Sequence, residues 1–269
     1  MDVIIPAGGI PRPNHPLYKY TQGKLKALLD IAGKPMIQWV LDALSEAKSV
    51  GHVAVVGLAL SEEVEGLDGG VNLSCKKPMS ILPNQYNMVE NLRAGTRRIL
   101  ELNPSAEYVM TCTSDIPMVT PEAFDWIAEQ AQKSRHEFYV IMTTKQAMEE
   151  RYPGSKRRTD RFTDIEVRGA DITVVEPRII LQSGIADRLK QLRHNTLKQL
   201  MFIGFDTLLL IRLRRLDLAG FAKRLAKKHG LDWRPLVCPY PEIAMDVDFP
   251  NELELARHVL SKNGLSVLT

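Results

Sequence analysis

Short apolar runs alternate with segments of helical periodicity through the first half of the chain. This alternation restricts the fold more than any other feature. Val3-Ile4-Ile5, Val53-Ala54-Val55-Val56 and residues 108–112 and 138–142 read as buried strands. Between them, Ile37, Val40, Leu41 and Leu44 repeat at helical spacing behind Pro35. The stretch 88–102 puts Leu92, Gly95, Ile99 and Leu102 on one face. Thr120-Pro121-Glu122 is a helix start, with a capping threonine, a proline at the first helical position and an early acid. The pattern predicts an α/β fold whose mostly parallel sheet is covered by helices on both faces.

The second half reads differently. Residues 151–161 are polar and basic and are expected as a loop, as are the acidic, glycine-rich residues 62–70 of the first half. Residues 178–230 are helical in pattern, with Asp217 as a helix cap, Leu218, Phe221, Ala222 and Leu225 on one face and Gly230 as a stop. Residues 233–238 and 243–247 read as strands and 250–260 as a closing helix. The expected organisation is a core over 1–177, a basic helical insert over 178–230 and a return to the core over 231–269. The insert holds twelve Lys and Arg against three Asp, a net +9 within a chain of +3, which leaves −6 for the rest. It is expected either as packed helices with solvated faces, at a homodimer contact, or as a surface for an anionic acceptor or an anionic membrane. The apolar stretch 200–211 is interrupted by Gly204 and Asp206 and falls short of the ~20 residues of a membrane span.

Composition excludes several classes. Hydrophobic residues make up 45% and charged residues 25%, which is incompatible with wholesale disorder. Cys75, Cys112 and Cys238 form no CxxC, which argues against a zinc ribbon or a dithiol redox site, and their sparseness points to a reducing cytoplasm. The opening Met1-Asp2-Val3-Ile4-Ile5-Pro6 does not read as a secretory signal. A net charge of +3 is too small to imply a nucleic-acid partner.

Four motifs carry chemistry. Pro6-Ala7-Gly8-Gly9-Ile10-Pro11-Arg12 follows the first strand directly, where ligands bind in a parallel sheet, and its glycines allow backbone N–H groups to approach phosphate. It is neither GxGxxG nor GxxxxGK[ST], and Pro11, Pro13 and Pro16 forbid an immediate helix. A lysine-rich segment, Lys24 to Met36, comes next. Thr113-Ser114-Asp115-Ile116-Pro117 closes a strand with a carboxylate. Met245-Asp246-Val247-Asp248-Phe249-Pro250 places two carboxylates two residues apart, on one face if the segment is extended.

Taken in this order, the AGG loop, the Lys-x-Leu and Gly-Lys-Pro elements, Asp-x-Pro and the Asp-x-Asp-x-Pro ending resemble the MobA-like and sugar-phosphate nucleotidyltransferases of the Rossmann-like GT-A-type fold, over residues 1–145 and 236–261. The resemblance implies that Pro6, Ala7, Gly8, Gly9 and Ile10 hold a nucleoside triphosphate and that Arg12 and Lys26 contact its phosphates. Asn87 would stand near the base, and Asp115 would bind a catalytic Mg²⁺ or Mn²⁺. Asp246 or Asp248 would supply a second metal carboxylate, a choice the motif leaves open. The implied reaction transfers a nucleoside monophosphate from an NTP, with CTP or GTP foremost, to a phosphorylated small-molecule acceptor, releasing pyrophosphate. A glycosyltransferase using a nucleotide-sugar and a non-catalytic nucleotide-binding regulator are the alternatives. The chain departs from many relatives at Pro11, in the longer loop from Gly9 to Lys26, at Gln85-Tyr86-Asn87 and at Gly169-Ala170-Asp171. These positions bear on the identity of the base and the acceptor.

Overall fold

The computed structural model describes residues 1–59, 73–85, 87–182 and 203–266. The loop expected over 62–70 lies outside these residues, as does much of the expected insert. The elements in chain order are β1 (Asp2–Pro6), α1 (Tyr18–Thr21), β2 (Asp30–Ile31), β3 (Lys34–Pro35), α2 (Met36–Glu46), β4 (Val53–Ala59), β5 (Met79–Pro83), α3 (Met88–Leu102), β6 (Val109–Cys112), α4 (Pro121–Ser134), β7 (Phe138–Thr144), α5 (Lys145–Arg151), β8 (Asp160–Arg161), β9 (Glu166–Val175), α6 (Pro177–Leu181), α7 (Phe205–Arg212), α8 (Leu218–His229), β10 (Trp233–Val237) and α9 (Pro250–Ser266). Short 3₁₀ turns cover Lys26–Leu28 and Pro241–Ala244.

The main sheet runs β10-β7-β9-β6-β1-β4-β5, with β8 paired to β9. Its pairs are parallel except those of β9, which runs antiparallel to β6, β7 and β8. The fold is therefore the expected α/β architecture, a mostly parallel mixed sheet of Rossmann-like form. Both faces are covered. Val3, Ile5, Val53 and Val55 pack with Ile37, Leu41 and Leu44 of α2 and Phe124 and Ile127 of α4. Ile4, Ala54 and Val56 face the other way, onto Ile99 of α3 and Ile179 and Ile180 of α6. Gly95 lets α3 lie directly on β1, because a Cβ there would come within 2.5 Å of Ile4 Cγ2. A third cluster seats Leu218, Phe221 and Leu225 of α8 against Met142, Phe162 and Val167.

Several expectations need correction. Leu102, expected on the inward face, ends α3 47% exposed. Residues 243–247 are not a strand. They form the end of a 3₁₀ turn and an irregular segment, since Pro241 starts a helical turn and Tyr152 and Leu253 close around Met245 and Val247 instead of a neighbouring strand. Thr120 stands at the N-cap of α4 without a capping bond from its side chain, whereas Asp217 caps α8 through Gly220 N at 3.0 Å. Gly230 ends α8 in the left-handed region, as expected.

The pairing of β4 with β5 slips between Val56 and Ala59, and Gly57 takes φ +111° at this irregularity. A Cβ on Gly57 would sit 2.4 Å from Gly8 N. Gly57→Ala therefore combines a strained backbone with a clash against the first loop. The expected cost is about 2–5 kcal/mol, measured by urea unfolding. Gly9→Ala, at an exposed position with nothing within 4 Å of the added carbon, is expected to stay within about 0.5 kcal/mol.

Candidate active site

β1 sets the floor of the site. Beyond Pro6, Ala7 N still donates to Val56 O at 2.8 Å, so the loop leaves the sheet only at Gly8. Gly8 has no room for a side chain, because an added Cβ would lie 2.7 Å from the Asn84 amide. The chain returns further on, where Lys26 N donates to Gly9 O at 2.9 Å. The lobe between these points is anchored by Leu17, which is fully buried with Ile31, Met36 and Val247.

A cavity of about 370 Å³ opens over this floor, lined by Pro6 to Ile10, Lys26, Ala27, Asn84, Asn87, Met88, Asn91 and Thr113 to Asp115. It lies at the carboxyl ends of β1 and β6, the position where open α/β sheets bind ligands. One wall is built of amides. Asn91 Nδ2 donates to Asn84 Oδ1 at 3.1 Å, and Gln85 N donates to Asn91 Oδ1 at 2.7 Å. Asn87 caps α3 by accepting from Glu90 N at 3.1 Å. Asn84 and Asn91 are not legible as site residues, since neither belongs to a spaced motif; Asn84 reaches the cavity from the end of β5, paired to β4, and Asn91 from the first turn of α3, which lies on β1 and β4.

Lys26 is the centre of charge. Its Nζ stands 2.5 Å from Asp115 Oδ2 and 2.5 Å from Asp248 Oδ1. Asp115 reaches it from the end of β6, where Thr113 N donates to Asp171 O at 3.1 Å. The Asp248 segment is tied on by Val247 N, which donates to Asp115 O at 2.9 Å. Burial by itself would lower the Lys26 pKa, but the two carboxylates outweigh it and hold the ammonium charged. Burial would raise the Asp248 carboxyl, but Lys26 draws it below its ordinary value, with smaller parts from His15 and Asp246.

The two acids left open by the motif have different surroundings. Asp246 Oδ1 accepts from Arg168 Nη2 at 2.8 Å and Arg157 Nη1 at 3.3 Å, and its carbonyl accepts from Arg157 Nη2 at 2.7 Å. Arg157 Nη1 also donates to Glu252 Oε1 at 2.7 Å. Glu252 Oε2 in turn accepts from the backbone of Asp248 and Phe249, at 2.7 and 2.9 Å. Arg157, in the stretch expected only as a loop, thus fixes the segment that carries Asp248. Arg12 is exposed and outside the cavity lining. Lys34 lies apart, bonded to Asp42 at 2.7 Å and over the Trp39 ring. Cys112 is core: burial, with Asp115 and Asp171 nearby, pushes its thiol well up.

The carboxylate donors fit a divalent ion, although Lys26 Nζ stands between them in this structure. Asp115 Oδ1 is buried without a hydrogen-bond partner, and hard carboxylate oxygens suit Mg²⁺, which keeps several waters and bridges phosphates. Among the described residues no three His, Cys, Asp or Glu side chains gather around one point. Protein ligation would therefore come from two carboxylates, with phosphate and water completing the shell.

A glycine loop, an ammonium and a carboxylate line one cavity, with a second carboxylate on the far side of the ammonium, an arrangement that suits a nucleotide-handling α/β transferase. The MobA-like NTP transferase domain profile matches residues 4–226, and the chain belongs to that family of nucleotidyltransferases. A hypothetical transferase from Thermus thermophilus is similar at 28% identity, with TM-score 0.73 over 94% of this chain and 98% of that one. The CMP:2-keto-3-deoxy-manno-octonic acid synthetase complexed with CTP is similar in fold, at 18% identity and TM-score 0.56 over 97% and 98%. The 4-diphosphocytidyl-2C-methyl-D-erythritol synthase of Anaerococcus prevotii is also similar in fold, at 12% identity and TM-score 0.55 over 96% and 95%. No curated protein matches the chain.

The contacts of Asp246 and Asp248 separate their roles in stability. Asp246→Ala takes one carboxylate acceptor from each of two arginines, one with a side chain only 5% exposed, while Arg157 keeps Glu252 and Arg168 keeps Ala244 O, and is expected to cost about 2–3 kcal/mol in urea unfolding. Asp248 has a side chain 47% exposed, so Asp248→Ala is expected to cost about 1 kcal/mol or less. Equal losses would remove the distinction.

Proposed function

We propose that the protein transfers a nucleoside monophosphate from CTP or GTP to a phosphorylated small molecule, such as a sugar phosphate, an alditol phosphate or a cofactor precursor. The observation that carries this reading is the Lys26 ammonium at 2.5 Å from both Asp115 and Asp248, at the edge of a glycine-loop cavity in a MobA-like chain. The synthetase neighbour is complexed with CTP, which supports a pyrimidine nucleotide here, and GTP remains the competing donor.

In the proposed reaction an acceptor phosphate oxygen bonds to the α-phosphorus, the α–β bridging P–O bond breaks, and pyrophosphate leaves with the bond electrons. A phosphate monoester is largely dianionic at neutral pH, with its second pKa near ~6, so no side chain need remove a proton from it. The chain's task is alignment and charge neutralisation. The loop amides from Gly8 to Ile10 cradle the phosphates, since that of Ala7 is held by Val56 O, Lys26 neutralises the departing pyrophosphate, and Arg12 approaches from the exposed side of the loop. Asp115 and Asp248 would hold Mg²⁺ or Mn²⁺, which neutralises phosphate charge when bound. Asp246 serves the arginine clamp.

A pyrophosphate-release screen of four NTPs against phosphorylated acceptors tests the reaction. Asp115→Asn is expected to lower turnover by orders of magnitude with its circular dichroism unchanged. Lys26→Ala is expected to weaken NTP binding and slow transfer far more than Lys34→Ala. Equal defects at the two lysines would remove Lys26 from the phosphate site.

A second element concerns the acceptor. Phe205 of α7 is 73% exposed, with Leu209 and Leu213 exposed on the same side beside Arg212, Arg214 and Arg215. An apolar ridge edged by arginines suits an anionic membrane surface, where each basic residue contributes roughly 1 kcal/mol. Among the described residues no helix is long and apolar enough to cross a membrane, so such contact would be peripheral. Replacing the three arginines by glutamine is expected to weaken co-sedimentation with phosphatidylglycerol vesicles in low salt and leave NTP affinity unchanged. Unaltered co-sedimentation and acceptor KM would assign α7 to packing alone.

A further inference from the structure

We infer that Lys26 is an exchangeable counter-ion: it occupies the position between Asp115 and Asp248 in the nucleotide-free protein, and yields it to a divalent ion only when a triphosphate draws its ammonium to the glycine loop. The inference rests on the nucleotidyl-transfer reading and adds an order of events to it.

Three observations carry it. Lys26 Nζ already spans the two carboxylates, at 2.5 Å from each. A divalent ion binding both acids would need the space that the ammonium fills, and two cations a few ångströms apart repel one another in a site only partly open to water. The lysine is also rooted for a second destination. Its backbone N–H bonds to Gly9 O at 2.9 Å, and its side chain lines the cavity beside Gly8 and Gly9. Lysine is suited to such a move, since it is a compact charge on a flexible four-carbon stem. Finally, Asp115 Oδ1 is buried and lacks a hydrogen-bond partner, so the ammonium satisfies only one of that carboxylate's two oxygens.

The two acids keep a net charge of −1 beside the ammonium and reach zero only beside a divalent ion. Without nucleotide, one ammonium faces two carboxylates. With a metal–triphosphate complex, the divalent ion neutralises the carboxylates and the ammonium is released to the phosphates. Free metal would have to displace a paired lysine with no phosphate to receive it. The nucleotide-free protein is therefore expected to bind metal poorly.

Mn²⁺ titration followed by electron paramagnetic resonance tests this directly, in parallel with thermal melting. Wild-type protein alone is expected to show weak Mn²⁺ binding and a Tm insensitive to millimolar Mg²⁺. Lys26→Met is expected to bind Mn²⁺ without nucleotide at least tenfold more tightly, and its Tm should rise with Mg²⁺ as ligand linkage requires. Lys26→Gln, which keeps a hydrogen-bond donor but no charge, should shift in the same direction and preserves the test if the Met variant folds poorly. Adding Asp115→Asn to either variant should abolish the gain. Wild-type protein with the α,β-methylene analogue of CTP or GTP should recover Mn²⁺ binding. If wild type with an analogue binds Mn²⁺ but the folded Lys26 variant gains nothing alone, the exchange is wrong and the transfer reading stands. The exchange is equally wrong, and the transfer reading equally intact, if wild type alone binds Mn²⁺ as tightly as the variant. If no form binds Mn²⁺ with any nucleotide, the metal assignment falls, and the exchange falls with it.

Discussion

The ammonium of Lys26 joins segments of the chain separated by 89 and 222 residues, and the geometry of the site follows from that junction. Asp115 and Asp248 would repel one another across a partly buried gap if nothing cationic stood between them. With Lys26 in place, the lobe that follows the first loop, the end of β6 and the C-terminal segment converge on one point. The backbone reinforces this. Lys26 is tied to Gly9, and Val247 to Asp115, so each charged group hangs from a main-chain hydrogen bond to a neighbouring part of the site. Small displacements of any one segment are resisted by the other two.

The reversal of β9 makes the C-terminal segment usable. Because β9 runs antiparallel to β6 and β7, its first residues lie beside the end of β7, where Val167 pairs with Thr144, and beyond the end of β6, where Cys112 pairs with Ile172. That register delivers Arg168 to the ligand side of the sheet. There it holds Asp246 Oδ1 and Ala244 O, while Arg157 holds Asp246 and Glu252. An all-parallel sheet would put the start of this strand at the opposite edge. The mixed topology therefore contributes to the site itself, as well as to closing the sheet.

Local patterns were legible in proportion to how local their causes are. The β1 loop, the Asp115 strand end, α3, α4 and the cap and stop of α8 depend on residues a few positions apart, and the sequence pattern locates them. β9 escaped notice because Gly169-Ala170-Asp171 interrupts its apolar periodicity, and the strand is held by partners on both sides rather than by its own composition. Residues 243–247 read as a strand because Ile, Met and Val alternate with other residues. The alternation is real, but Met245 and Val247 pack against Tyr152, Leu253 and the lobe of Leu17 instead of pairing in the sheet. Reading a strand there also hid the difference between Asp246 and Asp248, because period two puts them on one face only if the backbone is a strand. The arginine clamp and the wall of Asn84 and Asn91 are contacts between distant segments, and no spacing rule reports them.

The cations around these acids divide by chemistry. Arg157 and Arg168 meet Asp246, Glu252 and backbone carbonyls through several donors each, and Arg157 is nearly excluded from water. A planar guanidinium with donors in fixed directions is suited to this kind of permanent tie, and its removal would leave several acceptors unsatisfied at once. Lys26 presents one nitrogen to two oxygens, on a stem that tolerates rotation. Exchange of Arg and Lys between these positions would preserve formal charge but reverse the mechanical roles: the clamp would lose its multiple bonds and the movable cation would gain them. On the proposed exchange, the site would stay assembled while its central charge is replaced, and that needs both kinds of cation. Arginine then stands where the chain is held together, and lysine where a ligand's charge would be met.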